Sequence, residues 1–474
     1  MSDFDLVVRG RLVGAETVAE DGWLGVRDGK IAARGDCNGG AAPAGKEHID
    51  ARGMWVLPGA VDGQVHSGSQ FGQEGLGWAS RAAAAGGVTA MVDMPYDDPE
   101  PVACRESLDA KIAEVERDCH VDVGLFGTLN DKHGMQAVAG LIEGGVCAFK
   151  FSTFEAMPGR FPRVEEDDLY EAFRLIQPSG LACGVHNQMQ ELTRKNLTRF
   201  KAAGDTGWDA FLRAHPPLVE NLATALIYEI GAETGARAHA VHVSTSRGFE
   251  LCKMYRRAGH QASIETCVQY LLLNHEVHSK KFGAKTKHFP PIRPKAETDL
   301  LWTHIANNEC TFISSDHVSW GLERKSNPDI FKNSSGGPGL ETLLPAFWTG
   351  CEERGIAPSM VVRQLSRNPA RHFLLDDRKG SLDVGADADI VLLKPERYVH
   401  DPAASLSAVH WSSFEGMTFT ARVESTYCRG TLVYQLGAKG TEIRNRQGYG
   451  RFLRPRPGNG VTACAGPAQS IFRH

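Results

Sequence analysis

No apolar run in this sequence approaches the ~18–20 residues that a membrane-spanning helix needs, so no segment reads as transmembrane. Basic blocks are lacking as well. The formal net charge is −5 and no Lys/Arg cluster is interleaved with aromatics, which argues against nucleic acid and for a small-molecule ligand. The 11 cysteines, an odd number, are scattered singly from Cys37 to Cys464 with no CxxC pair. Neither a disulfide framework nor a thiolate zinc site is indicated, and most are expected as small buried apolar residues. The opening MSDFDLVVRGRLV lacks the basic start and apolar core of a secretory leader, so the expected address is cytoplasmic. There is also no low-complexity linker and no fixed-period repeat to mark boundaries.

What is present is punctuation and hydrophobic pattern. The 474 residues exceed the ~250–300 at which one core stops growing, so a large domain with a smaller companion is expected. Residues 4–34 and 378–445 read as short strands with tight turns, predicting one β-sandwich domain built from both ends, 1–56 and 378–445, with 446–474 as a C-terminal tail. Between them, short apolar runs alternate with amphipathic stretches. Eight such runs fall at 57–66, 88–95, 121–128, 146–153, 181–187, 236–244, 262–270 and 311–319. Eight strands, each followed by a helix, predict a (β/α)8 TIM-like barrel over 57–377. A doubly wound open sheet is the alternative, weakened by the lack of GxGxxG after the first strand.

A β/α barrel places its chemistry at the C-terminal ends of its strands, and ionisable residues recur there. His66 ends the first run, Lys150 lies in the fourth, His186 and His242 near the ends of the fifth and sixth, and Asp316 with His317 in the eighth. An ammonium in CAFKFSTF needs a special environment, because a lone buried charge costs several kcal/mol or is neutralised. Lys150 could be carboxylated by CO2 to a carbamate that bridges two cations, or could pair with a carboxylate such as Asp316. His186 and His242 suit imidazole ligation, or serve as hydrogen-bonded structural residues. Asp316 could ligate a metal and act as a general base, or counter Lys150.

The stretches VLPGAVDGQVH, RAAAAGGVTAMVDMP, CAFKF, ACGVHNQMQEL, AVHVSTSRG, ASIETCVQYLLL, FPPIRP, ISSDH, GGPGLETLLP and NPARHFLLDDRKGSLDVGADADIVLL follow in one order over nearly the whole chain. In these the sequence resembles the cyclic amidohydrolases: dihydroorotases, allantoinases, hydantoinases and dihydropyrimidinases, with allantoinases most alike. The resemblance implies a barrel with a β-sandwich from both termini, assembled as a homotetramer or homodimer. It implies one or two divalent ions, zinc first and manganese second, held by His66, N6-carboxylated Lys150, His186, His242 and Asp316. It further implies ring-opening hydrolysis by a metal-held hydroxide, with Asp316 as general base and then acid.

The sequence also departs from that pattern. The family's first HxH histidine is Gln64, which offers only a neutral amide oxygen. No arginine follows in HSGSQFGQEG, so dihydroorotate is not expected. Asp97 replaces an asparagine and would favour a cationic substrate group, unless it is a surface-loop residue. Glu155 replaces the hydantoinase tyrosine. Cys267-Val268-Gln269-Tyr270 stands for CPHY, and Val318-Ser319 follows the Asp-His pair. Asp97, Glu155, His317, Gly337 and Gly339 are the expected substrate contacts. A deaminase, a non-cyclic amidase or a non-catalytic homologue are the competing functions. If Gln64 limits metal binding, Gln64→His is expected to raise the metal content per chain after growth with zinc or manganese. Unchanged stoichiometry by elemental analysis would show that Gln64 is not limiting.

Overall fold

The computed structural model describes residues 4–69, 74–437 and 440–456. The chain opens with β1 (Phe4–Val13), β2 (Val18–Arg27), β3 (Lys30–Asp36) and β4 (Gly45–Pro58). One residue later it enters the barrel at β5 (Ala60–His66). The strands β6 (Val88–Asp93), β7 (Asp122–Gly127), β8 (Ala148–Ser152), β9 (Ala182–His186), β10 (Arg237–Ala240), β11 (Ala262–Cys267) and β12 (Phe312–Ser314) follow. Nearly every position in them is buried, as expected for parallel strands covered on both faces.

Helices return the chain between strands. In Glu166–Ile176 the buried Leu169, Ala172, Phe173 and Ile176 recur at helical spacing, while Glu166, Asp167 and Asp168 occupy the first turn, where the helix dipole favours acids. Pro217–Thr234 begins on proline and stops at Gly235, whose φ of +71° is the usual left-handed end of a helix. No helix among the described residues is long and apolar enough to cross a membrane.

Closure of the barrel rests on a broken strand. The barrel sheet runs β12-β11-β10-β9-β8-β7-β6-β5 and then β13 (His317–Val318), so both ends of the row belong to residues 312–318. The lower half of this eighth strand pairs with β11 and the upper half with β5, with His317 opposite Val65 and Val318 opposite His66. The barrel interior is plugged away from the strand ends. A Cβ on Gly63 would come within 2.5 Å of the Phe312 ring, and Phe373 packs against Phe312 and Phe126 with ring centroids 5.6 Å apart in each pair.

The last strands, β14 (Ile390–Val399), β15 (Thr418–Cys428), β16 (Thr431–Gly437) and β17 (Gly440–Ile443), join the first four in one eight-stranded sheet. Its order is β17-β16-β15-β14-β4-β1-β2-β3, all antiparallel except the β1–β4 pair, and β14 meets β4 through Ile390–Leu393. Residues 449–453 lie along the start of β7, with Val123 accepting from Leu453 and donating to Arg451. All ten described cysteines are free and buried; Cys464 lies outside the described residues.

Barrel and sheet are tied by Lys379, fully buried, whose Nζ meets Asp122 at 2.6 Å, Asp389 at 2.9 Å and Asp387 at 3.1 Å. Removing one partner of such a cluster leaves buried charge uncompensated. Lys379→Met is therefore expected to destabilise the protein by about 3–5 kcal/mol in denaturant unfolding. A loss below about 1 kcal/mol, the worth of an exposed pair, would contradict this role.

Candidate metal centre

Five of the expected ligands converge at the strand ends. His66 is the last residue of β5 and His186 the last of β9, Lys150 is central in β8, His242 lies two residues past β10, and Asp316 occupies the gap between β12 and β13. All are buried, Lys150 to 1% exposure. His242 and Asp316 have φ of +41° and +48°, left-handed values that non-glycine residues rarely adopt and that concentrate at functional sites.

Two groups of contacts form. In one, Gln64 Nε2 donates to Asp316 Oδ1 at 2.9 Å, and His66 Nε2 lies 3.5 Å from the same oxygen. His66 Nδ1 is fixed by Ser69 Oγ at 2.8 Å. In the other, His186 Nδ1 and His242 Nε2 are 2.8 Å apart, and His186 Nε2 bonds Gln188 Oε1 at 3.0 Å. Burial, then Lys150, pushes His186 down to about 3; burial holds His242 well below its usual range. Both imidazoles are therefore neutral at pH 7, the form that ligates metals.

Lys150 lies between these groups. Burial draws its ammonium down to about 8, opposed by the carboxylates of Glu265 and Asp316. Burial also pushes Glu265 up to about 8, with Lys150 opposing. Glu265 accepts from the His242 amide at 3.3 Å and stands 3.6 Å from His239 Nε2. The Lys150 carbonyl takes hydrogen bonds from Thr128 Oγ1 at 2.7 Å and Tyr96 OH at 3.3 Å. Tyr96 stacks on Phe161 at 3.8 Å, and Phe161 meets the His186 ring at 5.8 Å, so the 154–163 loop lies across the strand ends.

The bend at Asp316 is held from both sides. Buried Asp62 accepts from the amides of Ser315 at 3.1 Å and Gln64 at 3.2 Å. A Cβ on Gly339 would lie 3.0 Å from Ser315 Cβ, and one on Gly337 would lie 3.1 Å from the Trp411 ring. Gly339 thus permits close packing against Ser315, and Gly337 against Trp411. His317 Nδ1 accepts from the amides of Gly339 at 3.1 Å and Leu340 at 3.3 Å, so its proton is on Nε2, donated to Glu74. With both nitrogens engaged, His317 positions this loop, where a substrate contact was expected.

Two other expected substrate contacts are also taken up elsewhere. Asp97 Oδ2 pairs at 2.6 Å with the buried Lys111, which also meets Asp93 at 3.2 Å and Glu114 at 3.6 Å, while Asp97 Oδ1 is buried without a hydrogen-bond partner. Glu155 forms a half-exposed pair with Arg194 at 2.8 Å. Sequence reading missed Glu265, Gln188, Ser69, Asp62 and Glu74. Of these Glu265 and Asp62 carried a signal, each an acid inside an apolar strand like the lysine of CAFKF.

The donor set fits a divalent cation. Two neutral imidazoles aim nitrogens at each other across 2.8 Å and share one proton, an arrangement that a cation replaces while satisfying both lone pairs. Gln64 Oε1 and His242 Nδ1 are buried without a hydrogen-bond partner. His66, Asp316 and Lys150 complete a mixed nitrogen and oxygen set.

A sequence profile of the amidohydrolase family matches residues 55–433. Allantoinase of Rubrobacter xylanophilus is 35% identical over 470 residues, covering 96% of this chain and 99% of that protein. L-hydantoinase of Paenarthrobacter aurescens is 30% identical over 464 residues, covering 96% and 98%. Among solved structures, L-hydantoinase from Arthrobacter aurescens superposes with a TM-score of 0.89 at 28% identity, covering 95% of this chain and all of that one. With its barrel, its paired imidazoles and a match across most of its length, the chain belongs to the amidohydrolase family.

Proposed function

We propose that this chain is a metal-dependent hydrolase that opens the ring of a cyclic amide, imide or ureide of the allantoin or hydantoin kind. The observation that carries the proposal is the meeting of His66, Lys150, His186, His242 and Asp316 at one end of the barrel. The similarity to an allantoinase and an L-hydantoinase over nearly full length supports the ring class. The catalytic unit is taken as residues 57–377, working in the cytoplasm as a homodimer or homotetramer.

His66, Lys150, His186, His242 and Asp316, with Gln64 as a weaker sixth donor, would hold one or two divalent ions, zinc first and manganese second. Lys150 enters this set as its N6-carboxylated form, since a buried amine drawn down to about 8 is partly neutral and able to add CO2. Bound ions supply Lewis acidity, polarising the scissile carbonyl and making water a nucleophile near neutral pH.

The protein's own groups do the rest. Asp316 takes the proton of the attacking water and returns it to the leaving ring nitrogen. Gln64 Nε2, donating to Asp316 Oδ1, fixes the orientation of that carboxylate, and the Asp62 contacts hold the backbone beneath it. Ser69 holds the orientation of the His66 ring, and Gln188 Oε1, which can only accept, keeps the His186 proton on Nε2. Phe161, stacked on Tyr96, narrows water access over His186 and presents an apolar face to the ring substituent.

On a panel of allantoin, 5-substituted hydantoins, dihydrouracil and cyclic imides, at least one ring is expected to open to a linear carbamoyl or amide acid without ammonia release. Ammonia as the product would assign a deaminase. Asp316→Asn is expected to lower kcat by about 10²–10⁴-fold, the range for loss of a general base, and full turnover in that variant would exclude the role. Chelation should abolish turnover, and zinc or manganese should restore it. Metal below about 0.2 equivalents per chain in the active protein would reject the metalloenzyme reading.

A further inference from the structure

At the opposite end of the barrel, where the strands begin, a cleft of about 400 Å³ opens between β10, β11 and β12. Arg237 is the first residue of β10, Arg256 lies in the last turn of Ser246–Arg257, and Arg371 lies in Asn368–His372. None of the residues lining this cleft is acidic. Arg237 donates from Nη1 to the Gly180 carbonyl at 2.8 Å and from Nη2 to the His372 carbonyl at 3.0 Å. Arg256 donates from Nε to Ala262 O at 2.9 Å, from Nη1 to Glu309 O at 2.9 Å and from Nη2 to Thr311 Oγ1 at 2.7 Å.

These partners fix where the guanidiniums point but cancel none of their charge. The bonds of Arg237 use two of its five N–H groups. Elsewhere the buried Lys111, Lys379 and Arg293 each face carboxylates, and buried Lys325 spends its ammonium on three carbonyls. Among the described residues, Arg371 at the rim pairs only with Asp376, 3.9 Å away and shared with Arg456. The positive field is felt inside: burial, then His239, Arg237 and Arg256, hold His372 well below its usual range. Asn368 donates to Thr311 O, which leaves its amide oxygen for a ligand donor. The volume matches small-molecule sites, usually ~300–1,000 Å³, and exceeds what a bare ion fills.

We propose that this cleft binds a small molecule through a carboxylate or phosphate group, gripped by Arg237 and Arg256 and steered by Arg371. Guanidinium forks match both head groups in geometry and charge. The site lies at the far end of the barrel from the candidate centre and needs no metal.

The test uses the metal-loaded full chain. Its apparent Tm is measured with inorganic phosphate and with succinate, each against sodium chloride at equal ionic strength. At about a hundredfold the dissociation constant, at least one salt is expected to raise Tm by roughly 2 °C, and the larger rise identifies the head group. Phosphate can also bind metal ions, so the assignment rests on variants. Gln261→Glu puts a carboxylate on the exposed rim without disturbing a core contact, and Arg256→Gln removes one fork. Both are expected to lose the rise. No rise with either salt, or an undiminished rise in folded Gln261→Glu, would overturn the proposal.

Discussion

The barrel closes around this site through an eighth strand that breaks at Asp316. Residues 312–314 complete the ladder with β11, residues 317–318 complete it with β5, and Asp316 takes the turn between them at φ +48°. A regular strand would point its side chains alternately to the two faces, and the break at Asp316 interrupts that alternation. The left-handed residue turns its carboxylate toward Gln64 and His66. The strain, of order 1–3 kcal/mol for a non-glycine residue, is offset by the hydrogen bonds of Asp62 and the packing of Gly339.

The electrostatics follow from the same closure. Barrel strands buried on both faces exclude water, so each ionisable group at their ends is pressed toward its neutral form unless a partner stands near. His186 and His242 respond by staying neutral, and Lys150 and Glu265 are drawn toward one another's range. Neutral imidazoles, a carboxylate and an amine near neutrality form a set poised to ligate, on rigid strand ends.

Much of this was legible in the sequence, for physical reasons. Parallel strands buried on both faces read as continuous apolar runs, so the eight barrel strands stood out. Lys150 stood out as an ammonium central in an apolar run, and Asp316 through its place beside His317 near the end of the eighth run. The break at Asp316 did not, since TFISSDHVS carries the residue types of one unbroken strand. Partners far apart in sequence were invisible: Glu74 is 243 residues from His317, and Asp62 is 253 from Ser315. For Asp97 and Glu155 the carboxylate is written in the chain while its partner is not. Lys111 and Arg194 had to be seen beside them.

We propose that these strand ends would hold one or two divalent ions with a carboxylated Lys150 among the donors. Anomalous diffraction at the zinc edge from zinc-loaded crystals tests it most directly. One or two peaks are expected among His66, Lys150, His186, His242 and Asp316, with density beyond Lys150 Nζ for a carboxylate. No peak there, with Lys150 a bare ammonium paired to Glu265 or Asp316, would contradict it.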